Sequence, residues 1–259
     1  MSAISPGRAA ELSRVEDAGL NASATPQQRW LDGWLLRLSP GKAKRARCVN
    51  ALAPGRLALG ERIALCEQVY AEVGLPLIIR VTPFSEPAHF DAVLAAAGLL
   101  RFDDTRVMLL PELQAGPMHR FDGLELCLLA PEDFAFAVGA LRGSPDAQRR
   151  AHADRLRHAA VAASAYVLRR DGEVVACGQT VREGDIVGLY DVYTAPSARG
   201  QGLAGALCTE MMRRARAEGA RRAYLQVEGD NHAARSLYHR LGFADAYAYH
   251  YRARDPLAA

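Results

Sequence analysis

Between Gln201 and Glu218 the apolar residues Leu203, Leu207, Met211 and Ala215 recur every four positions, with Arg213, Arg214 and Arg216 outside the stripe. That period predicts an amphipathic helix with one buried face, ended by Gly219. A second helix is predicted from Asn231 to Leu241, with Ala234, Leu237, Tyr238 and Leu241 on one face. Asp230 or Asn231 can cap it, and Gly242 ends it. Around these helices the pattern is that of short strands: 165–169, 174–178, 186–193, 223–227 and 243–252. Asp171-Gly172 and Glu183-Gly184-Asp185 supply turns, so the first three strands form an antiparallel meander. Upstream, Leu124 to Leu129 is a strand, and 132–141 and 148–158 are helical, separated by Gly143-Ser144-Pro145-Asp146. From about residue 120 the order is β-α-α-β-β-β-α-β-α-β.

The first half repeats part of this order. Strands are expected at 34–38, 47–51, 77–81 and 105–110, and helices at 60–71 and 88–97. Val81 corresponds to Val227 and Gly98 to Gly242 at nearly equal offsets, which suggests a diverged internal repeat. The other reading is coincidence between two ordinary α/β segments. The Gly/Pro connection at 113–118 marks the boundary, giving units 1–117 and 118–259. The fold class is α/β: a mixed, largely antiparallel sheet flanked by helices.

Composition narrows the function classes. Hydrophobic residues make up 50% and charged residues 24% of 259, so the chain is globular rather than disordered. A net charge of +3 is too small to argue for nucleic acid. No apolar run approaches the ~18 residues of a membrane helix, and the start lacks an apolar signal core, reading instead as a short polar helix. The five cysteines are scattered, with no CxxC and no metal-ligand spacing. Reduced thiols and a cytoplasmic protein are expected, with no metal, no membrane and no nucleic-acid partner.

Candidate chemistry begins at Ala198-Arg-Gly-Gln-Gly-Leu-Ala204, between a strand and a helix. Gly200 and Gly202 leave the backbone bare where the helix begins, and a helix start has unpaired N–H groups and partial positive charge. Such a turn can cradle phosphate, with Arg199 adding a full charge and a planar fork. It can also be a plain strand-to-helix turn. Gly200, Gly202 and Gly205 match GxGxxG literally, but the preceding strand lies in a meander and not in a βαβ unit, which argues against a dinucleotide fold.

About thirty residues on stands Asn231-His-Ala-Ala-Arg-Ser-Leu-Tyr-His-Arg-Leu-Gly-Phe243. Arg199, Gly202 and Ala204 fill R/Q-x-x-G-x-G/A. Asn231, Ala234, Leu237, Tyr238, Gly242 and Phe243 fill N-x-x-A-x-x-L-Y-x-x-x-G-F. Together, in this order and separation, they resemble the signature of the GCN5-related N-acetyltransferase (GNAT) superfamily, over roughly residues 120–259. The resemblance implies a sheet splayed between two central strands, with acetyl-CoA in the opening as acyl donor. Pyrophosphate would lie on the amides of Arg199, Gly200, Gln201, Gly202, Leu203 and Ala204. The pantetheine arm would follow the strand through Val192, Tyr193 and Thr194, beside Asn231 and Ala234, with Tyr238 near the thioester sulfur.

Acetyl transfer to an amine needs a base for the ammonium proton, a donor for the thioester oxygen, and an acid for the leaving thiolate. Tyr238 is the candidate acid, or else a core aromatic that only packs on the CoA arm. A backbone N–H within 191–193 is the oxyanion donor. Asp191, in an otherwise apolar strand, is a candidate base if burial raises its pKa, or else a structural carboxylate. Glu228, after its strand, is the other candidate. Tyr193 shares the face of Asp191 and can line an acceptor pocket. His232 and His239 lie off the apolar stripe and read as surface; Cys208 reads as packing.

The first half lacks the cradle: Ala53-Pro-Gly-Arg-Leu-Ala-Leu-Gly60 keeps the spacing only loosely, through Arg56 and Gly60. It resembles a degenerate copy that could cover the acceptor cleft, support the other half through the sheet, or form a homodimer interface. Trp30 and Trp34 are expected in its core. Lys42-Ala-Lys-Arg-Ala-Arg47 is expected to be a solvated hairpin, with an acidic partner or a neighbouring chain's CoA 3′-phosphate as alternatives. The expected activity is N-acetyl transfer to a small-molecule or protein amine; a CoA-binding sensor without turnover is the alternative, and a longer acyl group is a third reading.

Overall fold

The computed structural model describes residues 6–116, 118 and 121–257. Met1 to Ser5, and Pro117 in the connection between the two units, lie outside them. Helix α1 (Pro6–Ala22) leads to β1 (Gln28–Leu31), β2 (Trp34–Arg37), β3 (Val49–Ala51), α2 (Leu59–Glu72), β4 (Ile79–Val81), α3 (Phe90–Ala96) and β5 (Leu100–Leu110). Then come β6 (Glu125–Leu129), α4 (Pro131–Leu141), α5 (Asp146–Arg157), β7 (Ala163–Arg170), β8 (Glu173–Glu183) and β9 (Ile186–Thr194). The last elements are α6 (Leu203–Ala217), β10 (Arg222–Glu228), α7 (His232–Arg240) and β11 (Ala244–Ala253). No helix among the described residues is long and apolar enough to cross a membrane.

All described strands lie in one sheet, ordered β1-β2-β3-β4-β11-β5-β10-β9-β8-β7-β6. Only β3/β4 and β9/β10 pair in parallel; every other neighbouring pair is antiparallel. The centre holds an exchange. Strand β5 of the first half lies between β10 and β11, and β11 of the second half lies between β4 and β5. A boundary at 117/118 therefore divides the chain but not the sheet.

Helices cover both faces. Leu203, Leu207, Met211 and Ala215 of α6 are buried against Leu189 and Leu225, together with Tyr238 of α7. Phe134, Ala135 and Val138 of α4, with Leu156 of α5, pack on Val167 and Cys177. In the first half Ile63, Cys66 and Tyr70 of α2 and Leu94 of α3 enclose Trp34, which Phe90 meets edge-on at 5.2 Å. Burying each such side chain stabilises by about 1.5–3 kcal/mol.

Two expectations fail here. Trp30 is 66% exposed. It lies on β1, whose first three residues are all exposed, so no buried alternation announced this strand. The hairpin to β2 turns at Asp32 and Gly33, both with positive φ, as a tight two-residue turn requires. The basic run 42–47 is not a solvated hairpin either. It folds into a single 3₁₀ turn, Lys44–Ala46, with Arg45 and Arg47 half-buried against the second half.

A buried ion pair of the first half is met by two tyrosines of the second. The Arg80 guanidinium on β4 meets the Glu16 carboxylate of α1, Tyr247 on β11 donates its hydroxyl to Glu16 Oε2 at 2.7 Å, and the Arg80 guanidinium carbon lies 3.8 Å from the Tyr249 ring centre.

Candidate active site

The parallel pairing of β9 with β10 begins at Ile186 opposite Arg222 and stops at Leu189 opposite Leu225. Beyond that point Tyr190–Thr194 and Gln226–Glu228 separate, although β10 stays paired with β5 as far as Glu228 opposite Thr105. The cause lies on β9. Tyr193 pairs with Cys177 and Tyr190 with Gln179, so Asp191 and Val192 together stand opposite Gly178. Asp191 takes φ 51°, outside the extended region. This is a β-bulge, which bends the strand that carries it. The edge of β9 that faces the gap keeps its backbone groups without a strand partner.

A cavity of about 890 Å³ occupies the split. Ala234 and Tyr238 line it from the α7 face, and Arg142 and His152 from the α4/α5 face, so it passes through the sheet. Asp191, Val192, Tyr193, Glu228 and Asn231 also line it. Thr194 and the turn 199–204 follow from the end of β9 and lie beyond the lining.

That turn is open. Gly200 and Gly202 both have φ 76°, a left-handed conformation that glycine adopts freely. The N–H groups of residues 200–205 find no acceptor among the described residues; the first helical bond runs from Ala206 N to Gly202 O at 3.0 Å. A Cβ at either glycine would meet nothing within 4 Å. A run of free N–H groups at the start of a fifteen-residue helix, bordering open space, is an anion-binding concavity. Arg199 does not aim into it, contrary to expectation. Its Nε donates to Thr194 O at 3.3 Å and an NH2 nitrogen donates to the Tyr193 hydroxyl at 3.2 Å. Gln201 Oε1 accepts from Arg170 at 2.8 Å, and Leu203 is buried in the core.

The corresponding turn of the first half is filled. After β3 the backbone N–H groups of Arg56 and Leu57 both donate to the Asp32 carboxylate, the shortest contacts being 2.8 Å. These bonds, chiefly that from Leu57, hold Asp32 below the usual carboxylate range despite the opposing effect of desolvation. An internal carboxylate thus takes the place that an external anion would need.

Tyr238 is buried on α7, with Phe243 edge-on at 6.0 Å. Its hydroxyl makes no hydrogen bond among the described residues, and burial pushes the phenol pKa up, so it stays protonated at neutral pH. Asn231 caps α7 through Oδ1, which accepts from Ala234 N at 3.1 Å. Glu228 is exposed at the end of β10, and no cation reaches it within 4.0 Å among the described residues.

Of the two readings of Asp191, base and structural carboxylate, its surroundings favour the second. Desolvation pushes its pKa up, but His152 at 3.4 Å, Arg142 at 2.8 Å and the more distant Arg155 outweigh it and hold the carboxyl well below the usual range. Gln179 also donates to Oδ2 at 2.7 Å. A carboxylate so held is a fixed charge and not a proton acceptor at neutral pH. Tyr193 lies between two guanidiniums, Arg142 at 5.5 Å and Arg199 at 5.6 Å from its ring centre. Sequence reasoning weighed His232 and His239, which are exposed, and missed His152, Arg142 and Arg155, which line the cavity together with Arg45 of the basic run. Helix α5 is polar, and no local pattern shows that it leans on the split.

Residues 129–243 match the model of the Acetyltransferase (GNAT) family. Over 82 residues the chain is 42% identical to mycothiol acetyltransferase of Streptomyces avermitilis and 39% identical to the uncharacterized N-acetyltransferase YjgM of Escherichia coli. Each alignment covers 30% of this chain, but 26% of the first relative and 49% of the second. The chain thus spans about a quarter and about half of the lengths of these relatives. Among solved structures it resembles a GCN5-related N-acetyltransferase from Kribbella flavida, with TM-score 0.66 and 15% identity over 98% of this chain and 97% of that one. It also resembles a tandem GNAT protein from the clavulanic acid biosynthesis pathway, with TM-score 0.57 and 17% identity over 78% of this chain and 73% of that one. At these identities the structures show the fold alone. The family match is thus to the domain at 129–243, and the fold of the chain is like that of GNAT proteins.

Proposed function

We propose that this protein is an N-acetyltransferase that moves an acetyl group from acetyl-CoA directly to a primary amine. The observation that carries this reading is the bulge-opened split of β9 from β10, followed at once by an open turn of free N–H groups. The split leaves an unpaired strand edge for an amide-bearing arm, and the turn supplies donors for a pyrophosphate. On this reading N–H groups of residues 200–205 hold the phosphates, and Val192, Tyr193 and Thr194 offer backbone to the pantetheine amides. The Asn231 amide and Ala234 flank that arm.

The chain's own groups then cover the needs of acyl transfer. A backbone N–H of 191–193, freed by the bulge, faces the thioester oxygen as its charge develops. Tyr238, buried and protonated, gives its proton to the leaving sulfur. Glu228, the lining carboxylate left without a cation, takes the amine proton directly or through water. Asp191 serves as an anchor for Arg142 and His152. The first half is read as a second copy without a cofactor site, its turn filled by Asp32 and its last strand completing the other copy's sheet.

Titration calorimetry with acetyl-CoA, followed by thiol release with a panel of amines, tests the reading. Saturable binding with amine-dependent thiol release is expected. Binding without turnover for any amine would favour a CoA-binding sensor, and no binding by folded protein would overturn the assignment.

A further inference from the structure

The lining of the cavity also includes a set of guanidinium groups, an arginine wall. Arg45 and Arg47 come from the turn between β2 and β3, and Arg155 comes from α5. Of the other four Lys and Arg side chains of the lining, Lys44 is answered by Asp103 at 2.7 Å, Arg142 by Asp191 at 2.8 Å and Arg149 by Asp146 at 3.9 Å, while Lys42 is exposed to water. Arg45, Arg47 and Arg155 reach no carboxylate within 4.0 Å among the described residues. Arg45 donates to the Ser23 and Tyr249 hydroxyls at 3.4 and 3.3 Å and lies 5.9 Å from the centre of the Tyr190 ring. Arg155 donates to Ala22 O at 3.3 Å. The Arg47 side chain makes no hydrogen bond among the described residues, and its Nε is buried without a partner.

Partly buried cations without a paired carboxylate are costly, because each has lost part of its water and gained no ion pair in return. Burial lowers the pKa of Arg47 and Arg155, whereas at Arg45 the same desolvation is outweighed by the tyrosines around it, Tyr249 foremost, and the pKa is raised. Asp191 also attracts Arg155 from beyond ion-pair distance, but its carboxylate is paired with Arg142 and His152. An incoming oxyanion would relieve the wall, in a low-dielectric setting where charge attraction is strong. The planar forks of arginine suit carboxylate and phosphate oxygens alike. The cradle for the CoA phosphates is elsewhere, past the end of β9, so this wall is left for the other substrate.

We infer that the acceptor is an amine that carries its own oxyanion, a carboxylate or a phosphate, gripped by Arg45, Arg47 and Arg155 while the amine faces the split. This inference rests on the transferase reading of the same cleft. It disfavours polycationic acceptors, which the wall would repel.

Matched amines test it: α-amino acids against their carboxamides, and phosphoethanolamine against ethanolamine, with acetyl-CoA saturating. The anionic member should have the higher kcat/KM by about tenfold or more. Arg47→Gln and Arg155→Gln should each reduce the anionic-to-neutral ratio by a similar factor. Carboxamide pairs and phosphate pairs separate the two sources of the oxyanion. A second arm uses inorganic phosphate on CoA-saturated protein, compared with chloride at equal ionic strength. Phosphate should raise Tm in the parent protein and not in the Arg47→Gln/Arg155→Gln double variant. If those variants do not fold, Arg47→Lys, which keeps charge but loses the fork, replaces them in both arms. Equal or greater turnover of the neutral members overturns the inference. If no amine in the panel reacts, an identical phosphate response in parent and variant overturns it. Failure to bind acetyl-CoA is a separate result. It would sink the transferase reading, while the phosphate comparison, run without CoA, still reports on the arginine wall.

Discussion

Gly202 is the position at which the cofactor assignment is most exposed to test. In Gly202→Glu the new residue must hold φ near 76°, which costs an L-residue about 1–2 kcal/mol. Its Cβ meets nothing within 4 Å, so no packing is lost. For a chain of this size that penalty lowers Tm by about 2–8 °C and leaves the fold in place. The carboxylate enters the space that the pyrophosphate would take. Two unit charges about 4 Å apart at an effective dielectric near 20 repel by roughly 4 kcal/mol, which is about a thousandfold in affinity. Gly202→Asn is the control, since asparagine tolerates the left-handed region and carries no charge. It should keep acetyl-CoA affinity to within about tenfold. Titration calorimetry, with circular dichroism to confirm folding, reads both variants. A folded Gly202→Glu protein with unchanged affinity refutes the cradle. Equal losses in both variants would show that backbone shape, not charge, sets binding there.

Tyr238→Phe should leave acetyl-CoA binding near the parent value and lower thiol release by about a hundredfold or more, as for a lost general acid; stopped-time thiol assays check this, and unaltered turnover would leave Tyr238 as packing alone. Asp191 has a folded pKa below its ordinary 3.8, so its contribution to stability is present above that value and is lost as pH falls through the lower folded one. Urea unfolding from neutral pH to about pH 3 should show the parent weakening below about pH 4, and Asp191→Asn starting weaker with a flatter acid limb. Glu16→Ala strips the buried Arg80 of its countercharge and should cost about 3–5 kcal/mol in denaturant unfolding; a loss under about 1 kcal/mol would mean that water replaces the carboxylate.

Much of the second half is legible in sequence because its signals are local. The four-residue stripe of α6, the turn at Asp171-Gly172 and the capping Asn231 each lie within one element, and the elements form where those signals place them. The meander of β7, β8 and β9 follows from the short turns that join them. Strand β1 was invisible because Gln28, Arg29 and Trp30 bury nothing, so no alternation marks them. The role of Asp191 stays open in the sequence for a related reason. Its strand neighbours are apolar and suggest a raised pKa, but the groups that set its charge come from α4 and α5, up to 49 residues away in sequence.

The sequence by itself determined the element order apart from β1, the two apolar helix faces, the glycine-rich turn and the pair of motifs that resemble the superfamily signature. Each is written in residues a few positions apart, within reach of backbone geometry and helical or strand period. Only tertiary structure decided that β5 and β11 change places at the centre of one sheet, because strand pairing is a contact between distant segments. It alone showed that Asp32 fills the first turn, that a bulge opens the second half's sheet, and that Arg45, Arg47 and Arg155 face one cavity. Charge neutralisation and desolvation depend on what surrounds a group in space, and chain order does not record those neighbours.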